Sequence, residues 1–255
     1  MRYFLLYLTL ACALVAQVTK VGAGAGVTKV GAGAGVTKVA GASGGSAPTL
    51  VNSGSDLSGA TTYTTTWSPA NGNTLVLWIY SNSNTSFTVA DGEGTGNTYV
   101  ADGHIEDPTN PIGGRIFSCH GISGTGAYTF TVTGATTPAI AVLEVSGSRT
   151  LAGVGAGTNP SSAIGSTSPF TPSSFTTTDA NVILFTCYGS LRGGAGTLAM
   201  VDGSFTIRQS ANDGSVAFVG GAATRIVTAT GTFTGGWTDT AFPLDFSVVL
   251  TAGYK

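Results

Sequence analysis

The sequence predicts an all-β fold, a double-sheet jelly-roll-like sandwich with two pseudo-repeated halves. Three observations predict it. The 255 residues include 39 Gly and 40 Thr, a pairing suited to β-prone strands joined by tight turns. Charged residues make up 9%, where about 25% is usual. Glu93, Glu106 and Glu144 are the only glutamates and Lys20, Lys29, Lys38 and Lys255 the only lysines, too few for a coiled coil, a helix bundle or a charge-rich disordered chain. No window sustains a capped 3.6-residue period, whereas period two recurs.

Residues 1–16 read as a secretory signal, with Arg2 before the apolar run Tyr3 to Ala16. The run is short for a bilayer span and ends in small residues, so cleavage after Ala16 is expected. The competing reading is a lipoprotein acylated at Cys12, but Thr9-Leu10-Ala11 makes a poor lipobox. After cleavage no segment has the apolar length of a membrane span. Residues 17–47 form a tether in which VTKVGAGAG occurs at 18–26 and again at 27–35, then decays to VTKVAGASGG. Its glycines favour a flexible linker, its Gly/Ala alternation silk-like stacking. Three lysines nine residues apart would suit an acidic surface. The net charge of −2 conceals an asymmetry: residues 1–45 hold four basic residues and no acid, and the rest holds six against twelve acids. An acidic, lysine-poor body would repel a phosphate backbone, which argues against nucleic acid as a partner.

The sandwich is expected over 48–255. Strand-like runs are Thr61–Trp67, Thr74–Ser81, Ser86–Ala90, Gly114–Ile122, Ala127–Thr133 and Ala139–Ser146. Asn71-Gly72 carries a hairpin-type turn signal. Tyr128, Phe130 and Val132 alternate with threonines as in a half-buried strand. The halves, about 48–147 and 174–255, flank a Ser/Pro/Gly-rich linker at 148–173. Tyr-Thr-Thr-Thr-Trp (63–67) and Thr-Leu-Val-Leu-Trp (74–78) match Phe-Thr-Thr-Thr-Asp (175–179) and Asn-Val-Ile-Leu-Phe (181–185). Ala-Asp-Gly (90–92) matches Val-Asp-Gly (201–203), 128–133 matches 229–234, and 138–147 matches 243–253 with one insertion. Each half could be a small sandwich, or the two could interleave in one double-sheet roll. Interleaving is favoured, because each half looks short of a closed core.

The order of these motifs resembles exported bacterial jelly-roll domains: Leu-Val-Leu-Trp, an Asp-Gly…Asn-Thr-Tyr loop, Tyr-Thr-Phe-Thr-Val-Thr, then Val-Leu-Glu-Val-Ser-Gly. The resemblance covers about 48–255. It implies a sandwich at the cell surface or outside the cell, in a family mostly without an assigned activity, and it carries over no catalytic residue.

Walker, HExxH, paired Cys-x-x-Cys and dinucleotide signatures are absent. Gly41-Ala42-Ser43-Gly44-Gly45 fits a nucleophile-elbow spacing but lies in the tether, without the strand–turn–helix that the chemistry needs. His104-x-Glu106 lacks the cysteine pair of a zinc deaminase. Asp91, Glu93, Asp102, Glu106 and Asp107 on Gly-rich loops are candidate calcium ligands, set against a plain solvated loop. Cys119 and Cys187 are either one disulfide or two core thiols. Glu144, in an apolar strand on the face of Ile140 and Val142, is a candidate general acid with Glu106 or Asp107 as partner; the plainer reading pairs it with Arg115 or Arg149. Trp78 and Tyr80 share one strand face, and with Trp67 and Trp237 they are candidate sugar-stacking residues, although core burial is the commoner fate of such rings. The expectation is an exported, non-catalytic surface or matrix protein that binds a polysaccharide or adheres. A glycan hydrolase using Glu144 and a self-assembling structural protein with exposed edge strands are the alternatives.

Overall fold

The structure, a computed structural model, describes residues 46–83, 86–93, 96–106, 112–158, 169–192, 197–212, 219–240 and 244–255. The expected signal, the repeats, Cys12 and Asp107 lie outside the described residues. The chain is all-β. In the first half the strands are β1 (Leu50–Asp56), β2 (Thr62–Thr64), β3 (Thr74–Ser81), β4 (Thr88–Asp91), β5 (Val100–Glu106), β6 (Gly113–His120), β7 (Thr129–Thr133) and β8 (Ala139–Val145). In the second they are β9 (Leu151–Thr158), β10 (Phe175–Thr177), β11 (Val182–Arg192), β12 (Leu198–Met200), β13 (Thr206–Asn212), β14 (Val219–Val227), β15 (Gly231–Phe233), β16 (Trp237–Asp239) and β17 (Leu244–Tyr254).

Each half builds its own five-stranded antiparallel sheet. The first has the order β1-β8-β3-β6-β5 and the second β9-β17-β11-β14-β13. Position by position these are the same order, so the pseudo-repeat is a repeat of topology. Within the first half β1 pairs with β8, β2 with β7 and β3 with β6. These pairs are nested about the β4–β5 connection, although β4 itself pairs with β7. The second half repeats them as β9 with β17, β10 with β15 and β11 with β14. The halves therefore do not interleave, contrary to the expectation from sequence. Each large sheet draws all its strands from one half because strands that pair within a half are separated by less chain, which costs less closure entropy.

What the halves do share is a core. β3 alternates strictly: Val76, Trp78 and Tyr80 face the other half, while Leu75, Leu77 and Ile79 face the first half's own small sheet, β2-β7-β4. Side chains of period two on a strand buried on both faces produce this division. β11 repeats it, with Ile183, Phe185 and Cys187 in the shared layer and Val182, Leu184 and Tyr188 in the second half's outer layer. The result is four layers with three apolar seams. In the central seam β5 lies against β9, β1 against β13 and β6 against β17. The ring of Tyr80 lies over Gly189, where a Cβ would clash with the ring atoms. Glycine there is a condition of the sheets approaching one another.

Three further expectations change. The linker contains β9, whose Leu-Ala-Gly-Val-Gly-Ala-Gly-Thr sequence carries little apolar signal but finds hydrogen bonds along β17. Asp102 and Glu106 sit on β5 rather than on a loop. Asn71-Gly72 does make a tight turn, with Gly72 at φ 85° and Asn73 N–H bonded to Ala70 O at 3.1 Å. That turn joins β2 to β3, which belong to different sheets, so it is no hairpin.

Candidate functional site

The aromatic candidates are mostly core. Trp78, Tyr80 and Trp237 have no exposed surface. Trp78 and Tyr80 fill the central seam, and Trp237 stacks on Tyr188 with centroids 6.1 Å apart in the second half's outer layer. The indole N–H of Trp237 donates to Thr186 Oγ1 at 3.2 Å. None of the three can present a face to a sugar without opening a core, which corrects the platform reading. Trp67 is half-buried and packs on the first half's outer layer.

Glu144 is fully buried and does face the side of Ile140 and Val142. Neither arginine reaches it. Its Oε1 accepts from Ala70 N–H and from Asn73 Nδ2, both at 2.7 Å, and its Oε2 accepts from Asn52 Nδ2 at 2.8 Å. Three donors stand in for lost water around a desolvated carboxylate. They tie β1 and the 70–73 turn to β8. Arg149 instead donates to Ser146 O at 2.6 Å and Ser46 O at 3.0 Å, and Arg115 pairs with Glu106 at 3.1 Å. Glu144 lies opposite Leu75, whereas Glu106 lies opposite Gly113 and thus level with Ser81. Six strand residues separate those levels, roughly 20 Å. A glycosidase needs its carboxyls within about 5–9.5 Å, so Glu144 and Glu106 do not form a hydrolytic pair.

The acids proposed for calcium are each engaged separately. Asp91 Oδ2 accepts from Tyr99 OH at 2.7 Å and Asn97 Nδ2 at 2.9 Å. Glu93 Oε2 accepts from Thr125 N–H at 3.2 Å, and Asp102 Oδ2 from Tyr254 OH at 2.7 Å. Among the described residues no three His, Cys, Asp or Glu side chains converge. Cys119 and Cys187 are both buried free thiols. Cys119 faces the first half's outer layer and Cys187 the central seam, so a sheet separates them and no disulfide can form. Burial pushes both thiols up.

A small polar chain crosses the seam. Ser118 Oγ lies 3.0 Å from His120 Nε2, and Tyr254 from the second half reaches Asp102 in the first. Burial holds the His120 imidazole below its ordinary value, with the nearby Asp102 charge opposing. His104 is exposed on β5.

An open groove lined by convergent polar groups was not anticipated. A groove of about 540 Å³ lies between the end of β1 and β2, lined by Ser55, Asp56, Leu57, Ser58, Thr62, Tyr63 and Thr64. Asp56 Oδ1 accepts from Ser58 N–H at 2.8 Å and Ser58 Oγ at 2.6 Å, an Asx-type turn that fixes the carboxylate. Its Oδ2 faces no protein donor among the described residues. Tyr63 stacks on Phe130, centroids 6.5 Å apart, and its hydroxyl lies over Gly54 beside the Trp67 ring. Burial, then the Asp56 charge, raises the Tyr63 phenol, which stays protonated and able to donate. Carboxylate, phenol and threonine hydroxyls together can both donate to and accept from a hydroxyl-rich ligand. The signal in the sequence was Ser-Asp-Leu-Ser, which reads as a turn and conceals what the turn holds.

No helix among the described residues is long and apolar enough to cross a membrane. No family model, curated protein or solved structure matches this chain.

Proposed function

We propose that the chain is an exported surface or matrix protein whose body binds a glycan in the Asp56–Tyr63 groove. The observation that carries this is a carboxylate oxygen and a phenol hydroxyl, both without protein hydrogen-bond partners among the described residues, held by packed neighbours at one open groove. Preorganised polar groups on a rigid scaffold are what sugar hydroxyls require, since little ordering entropy is then lost on binding. The apolar segment at 3–16 and the Gly/Ala-rich repeats support export and a tethered body. The groove holds a single acid and no facing carboxyl among the described residues, and this favours binding over hydrolysis.

A glycan array on the full chain, followed by calorimetry on the best ligands, tests the reading. Tyr63→Phe keeps the ring on Phe130 and removes only the hydroxyl, so affinity should fall about threefold to tenfold, the worth of one hydrogen bond. Asp56→Asn keeps an oxygen for Ser58 and removes the charge, so the loss should be larger, about tenfold to a hundredfold. Glycan binding that ignores both substitutions would place the ligand elsewhere.

A further inference from the structure

We infer that the groove is one end of a longer track, and that its occupant is an extended neutral glycan chain lying across β2, β7 and β4. This rests on the glycan reading of the groove. Thr62 and Thr64 line the groove and also begin the outward face of the small sheet. Opposite them in register are Thr131 and Thr129, and on the far side Thr88 lies opposite Thr133 and Ala90 opposite Thr131. Neither pairing has a bulge, so the rows run straight. Thr62, Thr64, Thr88, Ala90, Thr131 and Thr133 are exposed. The Thr64 and Thr129 hydroxyls meet at 2.9 Å, which holds their rotamers.

The inward residues of the same strands, Tyr63, Phe130 and Val132, are core, so the face is pinned from beneath. It carries only hydroxyls and small apolar groups. The nearest acid of these strands, Asp91, is held by Asn97 and Tyr99. Among the described residues the cation nearest the face is Arg115, which meets Ser86 Oγ at 3.4 Å and is already paired with Glu106. With Asp56 at the groove end, an acidic polymer gains little attraction there. Three strands span two ladder spacings, roughly 10 Å. A short sugar fills the groove alone, and a longer chain reaches the threonine rows.

Calorimetry of the full chain against a length series of neutral oligosaccharides from the best-binding glycan tests this. Affinity should rise with length. Thr131→Val, which keeps the branched shape at an exposed site, should weaken long oligomers about threefold to tenfold and leave the shortest binder unchanged. Tyr63→Phe should weaken all lengths alike. Affinity independent of length but sensitive to Tyr63→Phe would overturn the track and leave the groove standing. No binding of any glycan would overturn the groove reading, and the track with it. Equal affinity for uronic-acid oligomers would overturn the neutral assignment. Self-association of the chain that Thr131→Val abolishes would assign the face to a second copy instead.

Discussion

The two halves share strand order, nested pairing and the face pattern of their central strands, yet equivalent places hold different chemistry. Glu144 lies opposite Leu75 on β3. In the second half Tyr254 lies opposite Ile183, which is the place of Leu143 opposite Val76. The next residue, Lys255, therefore stands where Glu144 stands. Glu144 is sealed under the 70–73 turn by three donors. Lys255 remains 43% exposed in a 2.9 Å pair with Asp179. The outer layers differ likewise. The first half has a continuous three-stranded sheet, and the second has two separate ribbons, β10-β15 and β12-β16. Local turns are nonetheless repeated: Thr65 Oγ1 donates to Trp67 O at 2.6 Å, and Thr177 Oγ1 to Asp179 O at 3.3 Å. Topology, the central seam and one exposed cross-strand threonine pair (Thr64–Thr129 at 2.9 Å, Thr176–Thr232 at 2.8 Å) are thus common property, whereas the groove and the three-stranded threonine rows belong to the half whose outer sheet is unbroken.

Substitutions can break this comparison at successive depths. Trp78→Ala removes the largest ring of the shared seam and should cost about 3–5 kcal/mol. Calorimetry should still show one transition, because neither half has another cover for its inner face. Two separated transitions would show that the halves are independent domains. Glu144→Gln presents an amide N–H₂ where only donors point, at a cost of about 1–3 kcal/mol. Lys255→Ala, at the equivalent place, should cost no more than about 0.2–1 kcal/mol, since its pair is exposed and screened. Denaturant midpoints that rank them oppositely would refute the burial argument.

A smaller effect concerns the seam's edge. His120 is held below its ordinary value in the folded state, so it favours folding while neutral. That contribution is present above the unfolded value of about 6.5 and is lost as pH falls through the lower folded value. His120→Gln should flatten the stability profile between pH about 6.5 and the acid limb, and an unchanged slope would show that other groups set it. The smallest expected effect is that of reductant. With Cys119 and Cys187 on opposite sides of a sheet, the melting temperature should not move, and both thiols should react only after unfolding.

Much of the fold was legible because it is local. The range Thr74–Ser81 and the division of its faces follow from alternation alone, and β11 repeats them at the matched positions. The match of 138–147 to 243–253 was misaligned, because small and branched residues recur in both and only ladder register separates the alternatives. β1 and β9 escaped notice because edge strands with few apolar side chains owe their form to a neighbour's hydrogen bonds. The groove was invisible for a similar reason: it forms only when the end of β1 meets β2.

By itself the sequence determined the all-β class, the spacing of inward and outward side chains, and the existence of two related halves. Each is a property of composition or of neighbours along the chain. Tertiary structure alone decided that the halves pair internally and meet through one seam, that three candidate aromatics are core, and that Glu144 answers to residues 52, 70 and 73. Those outcomes depend on which distant strands become adjacent, and period-two patterning fixes a side chain's face without fixing what that face will meet.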